Sequence, residues 1–288
     1  MNSVLEETKY ILSKYKISAN KKLGQNFLID YNVINQIIDK SNIQKDDLVI
    51  EIGPGLGTLT AKLLEHAGKV IAIELDDRMI KILNDRFKLY DNFSLLHEDI
   101  LKVNLKELIS KSKEELSNVK IVANLPYYIT TPIIMKLLED NLDIVSITVM
   151  VQKEVADRIT ARPGDKLSGA ITYSVDYYAQ AKNLMFVSKE CFLPSPEVDS
   201  EVIYLKIREK PQIQVKNKDL FFKVIKASFM QRRKTLLNGL TNSGIVKNKE
   251  MAKKIIEEMN LSVDIRGEKL TTQQFAELTD LIEKYIAF

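Results

Sequence analysis

Val49-Ile50-Glu51-Ile52-Gly53-Pro54-Gly55-Leu56-Gly57-Thr58-Leu59-Thr60 is the stretch on which the fold turns. A short apolar run meets three glycines spaced two apart, and a helix-compatible segment follows. Glycine is needed where a ligand must lie against bare backbone, because a Cβ would push it away. The helix start beyond the turn offers N–H groups that have no partner within the helix. Strand, glycine turn and helix together make a nucleoside-binding device. Spacing refines it: dinucleotide folds use G-x-G-x-x-G so that a pyrophosphate sits on the helix N-terminus. Here the spacing is G-x-G-x-G, with an acid, Glu51, two residues before the first glycine.

Working outward, the helix over 58–66 is expected to stop at Gly68, and 69–74 reads as a second strand ending at Glu74. A carboxylate at that strand end can accept hydrogen bonds from both hydroxyls of a ribose. A helix is expected over 78–89 and a third strand over 93–96, leading into Glu98-Asp99, of which Asp99 is better placed to accept from an adenine amine. The fourth strand, 120–123, runs into Asn124-Leu125-Pro126-Tyr127-Tyr128. There Asn124 Oδ1 and the Leu125 carbonyl can each accept from the amino group of a planar ring, while Tyr127 stacks on its face. Thr131-Pro132 reads as the N-cap and first-turn proline of a helix over 133–139. Taken singly, these are a solvated acid or a packed tyrosine. Their agreement at consecutive strand ends favours one adenosine-containing ligand.

Upstream, Ser3-Val4-Leu5-Glu6 is a capping box for a helix to about Lys16, and Asp30 caps a helix with apolar Val33, Ile34, Ile37 and Ile38. Downstream, 146–152, 181–187 and 201–207 read as strands, 153–160 as a helix and 167–177 as a further apolar segment. Pro211 marks a linker, 219–240 is helical by spacing, and Thr271-Thr272-Gln273-Gln274 opens a last helix.

With 288 residues, 45% apolar and 28% charged, the chain is ordinary globular material with room for one large domain and a smaller one. No apolar run approaches the roughly 20 residues that span a bilayer. The polar start with Glu6 and Glu7 is unlike a targeting peptide, so a cytoplasmic protein without membrane contact is expected. Cys191 is the lone cysteine and His66 and His97 the only histidines, which argues against a disulfide framework, a metal centre or a Ser/His/Asp hydrolase. Charge is unevenly spread: 206–288 carries 17 Lys and Arg against 10 Asp and Glu, the first 205 residues 25 against 29. A basic tail suggests a polyanionic partner.

The glycine turn resembles motif I of the S-adenosylmethionine-dependent methyltransferases. The chain as a whole is similar to the small-subunit ribosomal RNA adenine dimethyltransferases, the family whose loss gives kasugamycin resistance. Carrying the likeness are Leu23-Gly-Gln-Asn-Phe-Leu28, Glu51-Ile-Gly-Pro-Gly-Leu-Gly57, Asn124-Leu-Pro-Tyr127, Phe192-Leu-Pro-Ser-Pro-Glu-Val-Asp-Ser200, Ser228-Phe-Met-Gln-Arg-Arg-Lys234 and Arg266-Gly-Glu-Lys-Leu270. The resemblance implies an α/β, Rossmann-like class I methyltransferase sheet of seven strands in residues 1–207, with a small all-α, RNA-binding domain in 208–288. It implies S-adenosylmethionine contacts at Asn26, Leu28, Glu51, Gly53, Gly55, Gly57, Glu74, Asp99 and Asn124. Asn124 and Leu125 would orient the target amine, and Tyr127 and Phe192 would sandwich the adenine. Lys22, Arg232, Arg233 and Lys234 are candidate phosphate contacts. The implied reaction is dimethylation of the N6 amines of two adjacent adenosines in the 3′-terminal hairpin of 16S rRNA, within the small ribosomal subunit, by a monomer without metal. A large-subunit adenine methyltransferase of the macrolide-resistance type, and a non-catalytic assembly factor on the same fold, are the alternatives.

Overall fold

The computed structural model describes residues 3–113, 116–231 and 234–286. Two compact units emerge, one of Met1–Ala156 with Lys182–Ile207 and one of Asp157–Ala181 with Arg208–Phe288. The division after 207 matches the expected one, but the expected content of 1–207 is corrected: 157–181 leaves the sheet-bearing part and joins the tail. The helix Ala170–Tyr178 explains why, since its Tyr173 and Tyr177 are buried with Phe221 and Phe275 in the second unit's core.

The sheet has seven strands: β1 Asp47–Ile52, β2 Lys69–Glu74, β3 Phe93–His97, β4 Asn118–Asn124, β5 Ser146–Gln152, β6 Ala179–Val187 and β7 Ser200–Ile207. Their spatial order is β3-β2-β1-β4-β5-β7-β6. Strands β1 to β5 pair in parallel and β7 runs antiparallel to β5. Leu48, Val49 and Ile50 are wholly buried, as a central parallel strand covered on both faces requires. From β1 the chain winds outward to β2 and β3, then crosses back to β4 on the other side of β1. Such a reversal leaves a crevice at the carboxyl ends of the strands. At the opposite end of β1, the buried Asp47 takes Lys120 Nζ at 2.6 Å, the Gln44 N–H and the Asn118 amide, so its charge is fully partnered.

Local signals placed most helices. Ser3 and Glu6 close their reciprocal capping box, Asp30 caps Tyr31–Ser41, and Thr271 and Gln274 exchange hydrogen bonds ahead of Thr272–Ile286. Three expectations change. Asp76 caps a helix Asp77–Phe87, two residues shorter at its end than the expected 89. Tyr127–Ile129 forms a 3₁₀ turn that leads straight into Thr130–Glu139, so Thr131 is not the cap. Pro132 still falls in the first turn, where a missing N–H costs nothing. The helix expected over 219–240 is two, Lys218–Phe229 and Leu236–Asn242, the second capped by Thr235. A helix Leu105–Ser112 capped by Asn104 was not foreseen.

In the second unit, the Tyr173 ring meets Phe275 edge-on at 4.8 Å, and its hydroxyl donates to the Leu270 carbonyl at 2.6 Å. The same oxygen accepts from the Gly164 N–H at 3.2 Å. Removing it orphans a carbonyl among buried groups, which costs about 1–3 kcal/mol. Tyr173→Phe is accordingly expected to lower stability by about 1–2 kcal/mol, read as a drop in the unfolding midpoint without a change in denaturant slope.

Candidate active site

The cleft at the carboxyl ends of β1, β2 and β4 encloses about 1090 Å³, its solvent-open mouth included. It is lined by the segment Leu23–Leu28, by Glu51 and the glycine turn, by Glu74 and Asp99, and by Asn124–Ile129. Of the residues that the sequence assigns to the cofactor, Asn26, Leu28, Glu51, Gly53, Gly55, Glu74, Asp99 and Asn124 all lie in this wall. Gly57 does not.

The three glycines have different reasons for being glycine. All adopt positive φ, at 67°, 57° and 82°. At Gly57 a Cβ would fall 2.5 Å from a ring carbon of Phe87, so protein packing, not a ligand, forbids a side chain there. At Gly53 a Cβ would meet protein atoms only at 3.9 Å, and that position faces the cleft. The turn's N–H groups are also spoken for: Gly53 donates to Ile73 O, Gly55 to Glu74 Oε2 and Gly57 to Pro54 O. No row of free glycine amides is left to cradle a phosphate.

Glu74 is almost wholly buried. Its Oε1 accepts from the Leu75 and Asp76 N–H groups at 2.8 and 2.9 Å, and Oε2 from Gly55 N–H at 3.1 Å. A carboxylate has about four acceptor sites. With two used on Oε1 and one on Oε2, the capacity left for a ligand lies on Oε2, which narrows the expectation that Glu74 accepts from both hydroxyls of a ribose. Burial raises the Glu74 pKa, and the three backbone donors oppose that shift. At Asp99, Oδ1 accepts from Leu101 N–H, leaving Oδ2 available, whereas Glu98 does not line the cleft.

Glu51 is 1% exposed and accepts from Thr60 Oγ1 at 2.6 Å. Burial pushes its carboxyl up to about 8; the Thr60 hydroxyl opposes this and the charge on Glu74 adds to it. Three acids thus line the cleft, Glu51 neutral below about pH 8, and among the described residues no lysine, arginine or histidine does. That electrostatic cast favours a cation and disfavours a phosphate.

Asn124 ends β4, and its Nδ2 donates to the Asn26 carbonyl at 3.3 Å. The donor end of the amide is thereby engaged, and Oδ1 is the end left to accept. Leu125 follows with its N–H given to the Met150 carbonyl at 3.2 Å, and Tyr127 lines the same wall. Phe192 is placed otherwise: it is 3% exposed, sits in the first unit's core and is not part of the cleft lining. Its backbone pairs with Leu28 in a two-residue antiparallel ladder, Phe27–Leu28 against Phe192–Leu193, which ties its segment to the cleft wall. Among the proposed phosphate contacts, Lys22 is exposed on the 3₁₀ turn Lys21–Leu23 and Lys234 is exposed in the turn before Leu236–Asn242, not on a helix. Arg232 and Arg233 lie outside the described residues.

Sequence reasoning missed several members of the site. Phe27 packs under Gly55 and lines the cleft. Gln25 donates to Asp76 Oδ2 at 2.8 Å, and Arg78 Nε holds Oδ1 of the same carboxylate at 2.9 Å. This link pins 21–28 across the end of β2.

A sequence profile described as ribosomal RNA adenine dimethylase matches residues 16–283. A protein of Lachnoclostridium phytofermentans named ribosomal RNA small subunit methyltransferase A is 50% identical over 281 residues, covering 97% of each chain. One of the same name from Bacillus pumilus is 48% identical and covers 96% of each. Among solved structures, a dimethyladenosine transferase from Plasmodium falciparum superposes with a TM-score of 0.71 at 27% identity, over 88% of this chain and 96% of that one. The 23S rRNA methyltransferase ErmE shares the fold at a TM-score of 0.66 and 22% identity, over 90% of this chain and all of that one.

Proposed function

This chain belongs to the ribosomal RNA adenine dimethylase family, and on that premise we propose that it transfers methyl groups from S-adenosylmethionine to the N6 amines of two adjacent adenosines near the 3′ end of 16S rRNA. The observation that carries the cofactor is a cleft whose charged lining residues, among those described, are all acids and whose glycine amides are already taken. Adenosine hydroxyls and amine suit Glu74 Oε2 and Asp99 Oδ2. A sulfonium and an ammonium suit a wall that has carboxyls and, among the described residues, no bases. Bound there, S-adenosylmethionine supplies a methyl already activated by its sulfonium, so a strong nucleophile or metal is not required of the protein.

What the protein must do is orient a poor nucleophile and exclude water. An adenine amine delocalises its lone pair into the ring. Asn124 Oδ1 and the Leu125 carbonyl, accepting from its two N–H bonds, favour a pyramidal nitrogen and stabilise the positive charge that grows on it. The proton is acidic once that charge has formed, and solvent can take it. Tyr127 offers an aromatic face to a base drawn out of its stack, which offsets part of the unstacking cost. The basic tail would add sequence-independent attraction to RNA phosphates.

Glu74→Gln replaces a doubly accepting carboxylate by an amide with one acceptor oxygen. The expected result is about a tenfold weaker cofactor, near 1.4 kcal/mol, with little change in turnover at saturation, measured by titration calorimetry and initial rates. The reading itself is tested by methyl transfer from labelled cofactor to unmethylated small subunits, with large subunits in parallel. N6,N6-dimethyladenosine from small subunits alone is the expected product. Label in large subunits would move the activity to the macrolide-resistance type. Cofactor binding without transfer to either would favour an assembly factor that has kept the fold.

A further inference from the structure

Tyr127 carries a hydroxyl that the chemistry above does not use. A stacking platform needs only the ring, yet the phenol oxygen lies 2.6 Å from Ser200 Oγ. Ser200 is wholly buried at the first position of β7, opposite Gln152 of β5. Its neighbour Asp199 is tied down twice, with Oδ1 accepting from the Lys189 N–H at 2.9 Å and its carbonyl from the Lys153 N–H at 3.0 Å. Ser200 therefore stands on a rigid strand end, while Tyr127 sits on a 3₁₀ turn in the cleft wall. Burial raises the Tyr127 pKa, the Ser200 hydrogen bond opposes this and Asp199 adds to it, so the phenol keeps its proton and the contact is between two neutral hydroxyls.

The phenol oxygen lies on the ring's long axis. A tether there does not stop the ring flipping about that axis, but it does stop the ring swinging about its Cα–Cβ bond. Tyr127 is two residues from Leu125 and three from Asn124, so a swing changes the space beside the two groups proposed to accept from the amine. That space matters most for the second of two transfers, when the nitrogen already bears a methyl and is bulkier. Resting on the proposed reaction, we infer that Ser200 is a positioning residue: by anchoring the Tyr127 hydroxyl it fixes one wall of the base pocket at the width that admits a monomethylated amine.

The anchor can be removed from either end, by Ser200→Ala or by Tyr127→Phe, which keeps the ring. Under single-turnover conditions on unmethylated small subunits, each variant is expected to slow the second methylation about fivefold more than the first, so that N6-methyladenosine accumulates. The double variant should be no worse than either single one, because both remove the same bond. Ser200→Thr, which keeps the hydroxyl, should restore the wild-type product ratio. A readout independent of activity is the ring spectrum of ¹³C-tyrosine-labelled free protein, where the signal missing from Tyr127→Phe should shift or broaden in Ser200→Ala. Equal slowing of both transfers, or single-variant effects that multiply in the double variant, would overturn the inference. If Ser200→Ala does not fold, Tyr127→Phe decides: an unchanged product ratio overturns the proposal. A wild-type protein that makes no dimethyladenosine would instead sink the reaction on which it rests.

Discussion

Asn124→Ala is expected to lower the single-turnover rate of methyl transfer on the order of 10²- to 10³-fold, the scale seen when one preorganised partner of a developing charge is deleted. The side chain has two jobs at two ends. Its Nδ2 donates to the Asn26 carbonyl, which fixes the amide's orientation against the segment that forms the opposite wall. Its Oδ1 is then the acceptor for the target amine. Alanine removes both, whereas Asn124→Asp keeps an acceptor but sets a carboxylate against the Asn26 carbonyl. The aspartate variant should therefore lose activity as well, with the wall loosened by repulsion rather than by absence. Cofactor affinity distinguishes this from a collapsed site: it should weaken no more than about tenfold in Asn124→Ala, the value of one hydrogen bond. A fall in rate of less than tenfold would mean that the amine is oriented elsewhere.

The cleft was legible in the sequence to the extent that its parts are strand ends. Glu51, Glu74, Asp99 and Asn124 each end or interrupt an apolar run, and a parallel sheet brings such ends together by its connectivity. The glycine turn was legible for the same reason, though only in part. Spacing shows that three glycines are needed but not what each avoids, and Gly57 avoids Phe87, thirty residues on. What stayed hidden depends on distant pairs. Nothing local says that Gln25 reaches Asp76, that Ser200 reaches Tyr127, or that 157–181 joins the tail helices. The helix expected over 219–240 kept its apolar spacing although one helix ends at Phe229 and the next begins at Leu236, because Phe229 and Leu236 both pack in the second unit's core. Phe192 shows the converse. Its place in a motif suggested an aromatic face for the base, and the structure puts its ring in the core beside the residues that line the cleft.

Glu51→Gln is expected to stabilise the protein at pH 8 and to leave it nearly unchanged at pH 5. The sign follows from where the proton sits. In the unfolded chain the carboxyl titrates near 4.5, and in the fold burial raises this to about 8, the Thr60 hydroxyl opposing and Glu74 adding to the rise. Between those values the folded state holds a proton that the unfolded state has released, so stability falls as pH rises through the window and is fully present below it. At about 1.4 kcal/mol per pH unit, the deficit at pH 7 is on the order of 3 kcal/mol. An amide of the same shape can still accept from Thr60 and carries no such penalty. Unfolding midpoints of the two proteins should thus coincide near pH 5 and separate progressively toward pH 8, the variant higher. A gap that is independent of pH, or that closes as pH rises, would show that the carboxyl is already ionised in the fold. The same substitution should weaken cofactor binding most where it stabilises the fold most, since above pH 8 the wild-type site presents the Glu51 negative charge to a cation beside Glu74 and Asp99 and the variant does not. A group that costs stability at working pH and lies with Glu74 and Asp99 in the wall of the cleft is better understood as a ligand contact than as a structural one.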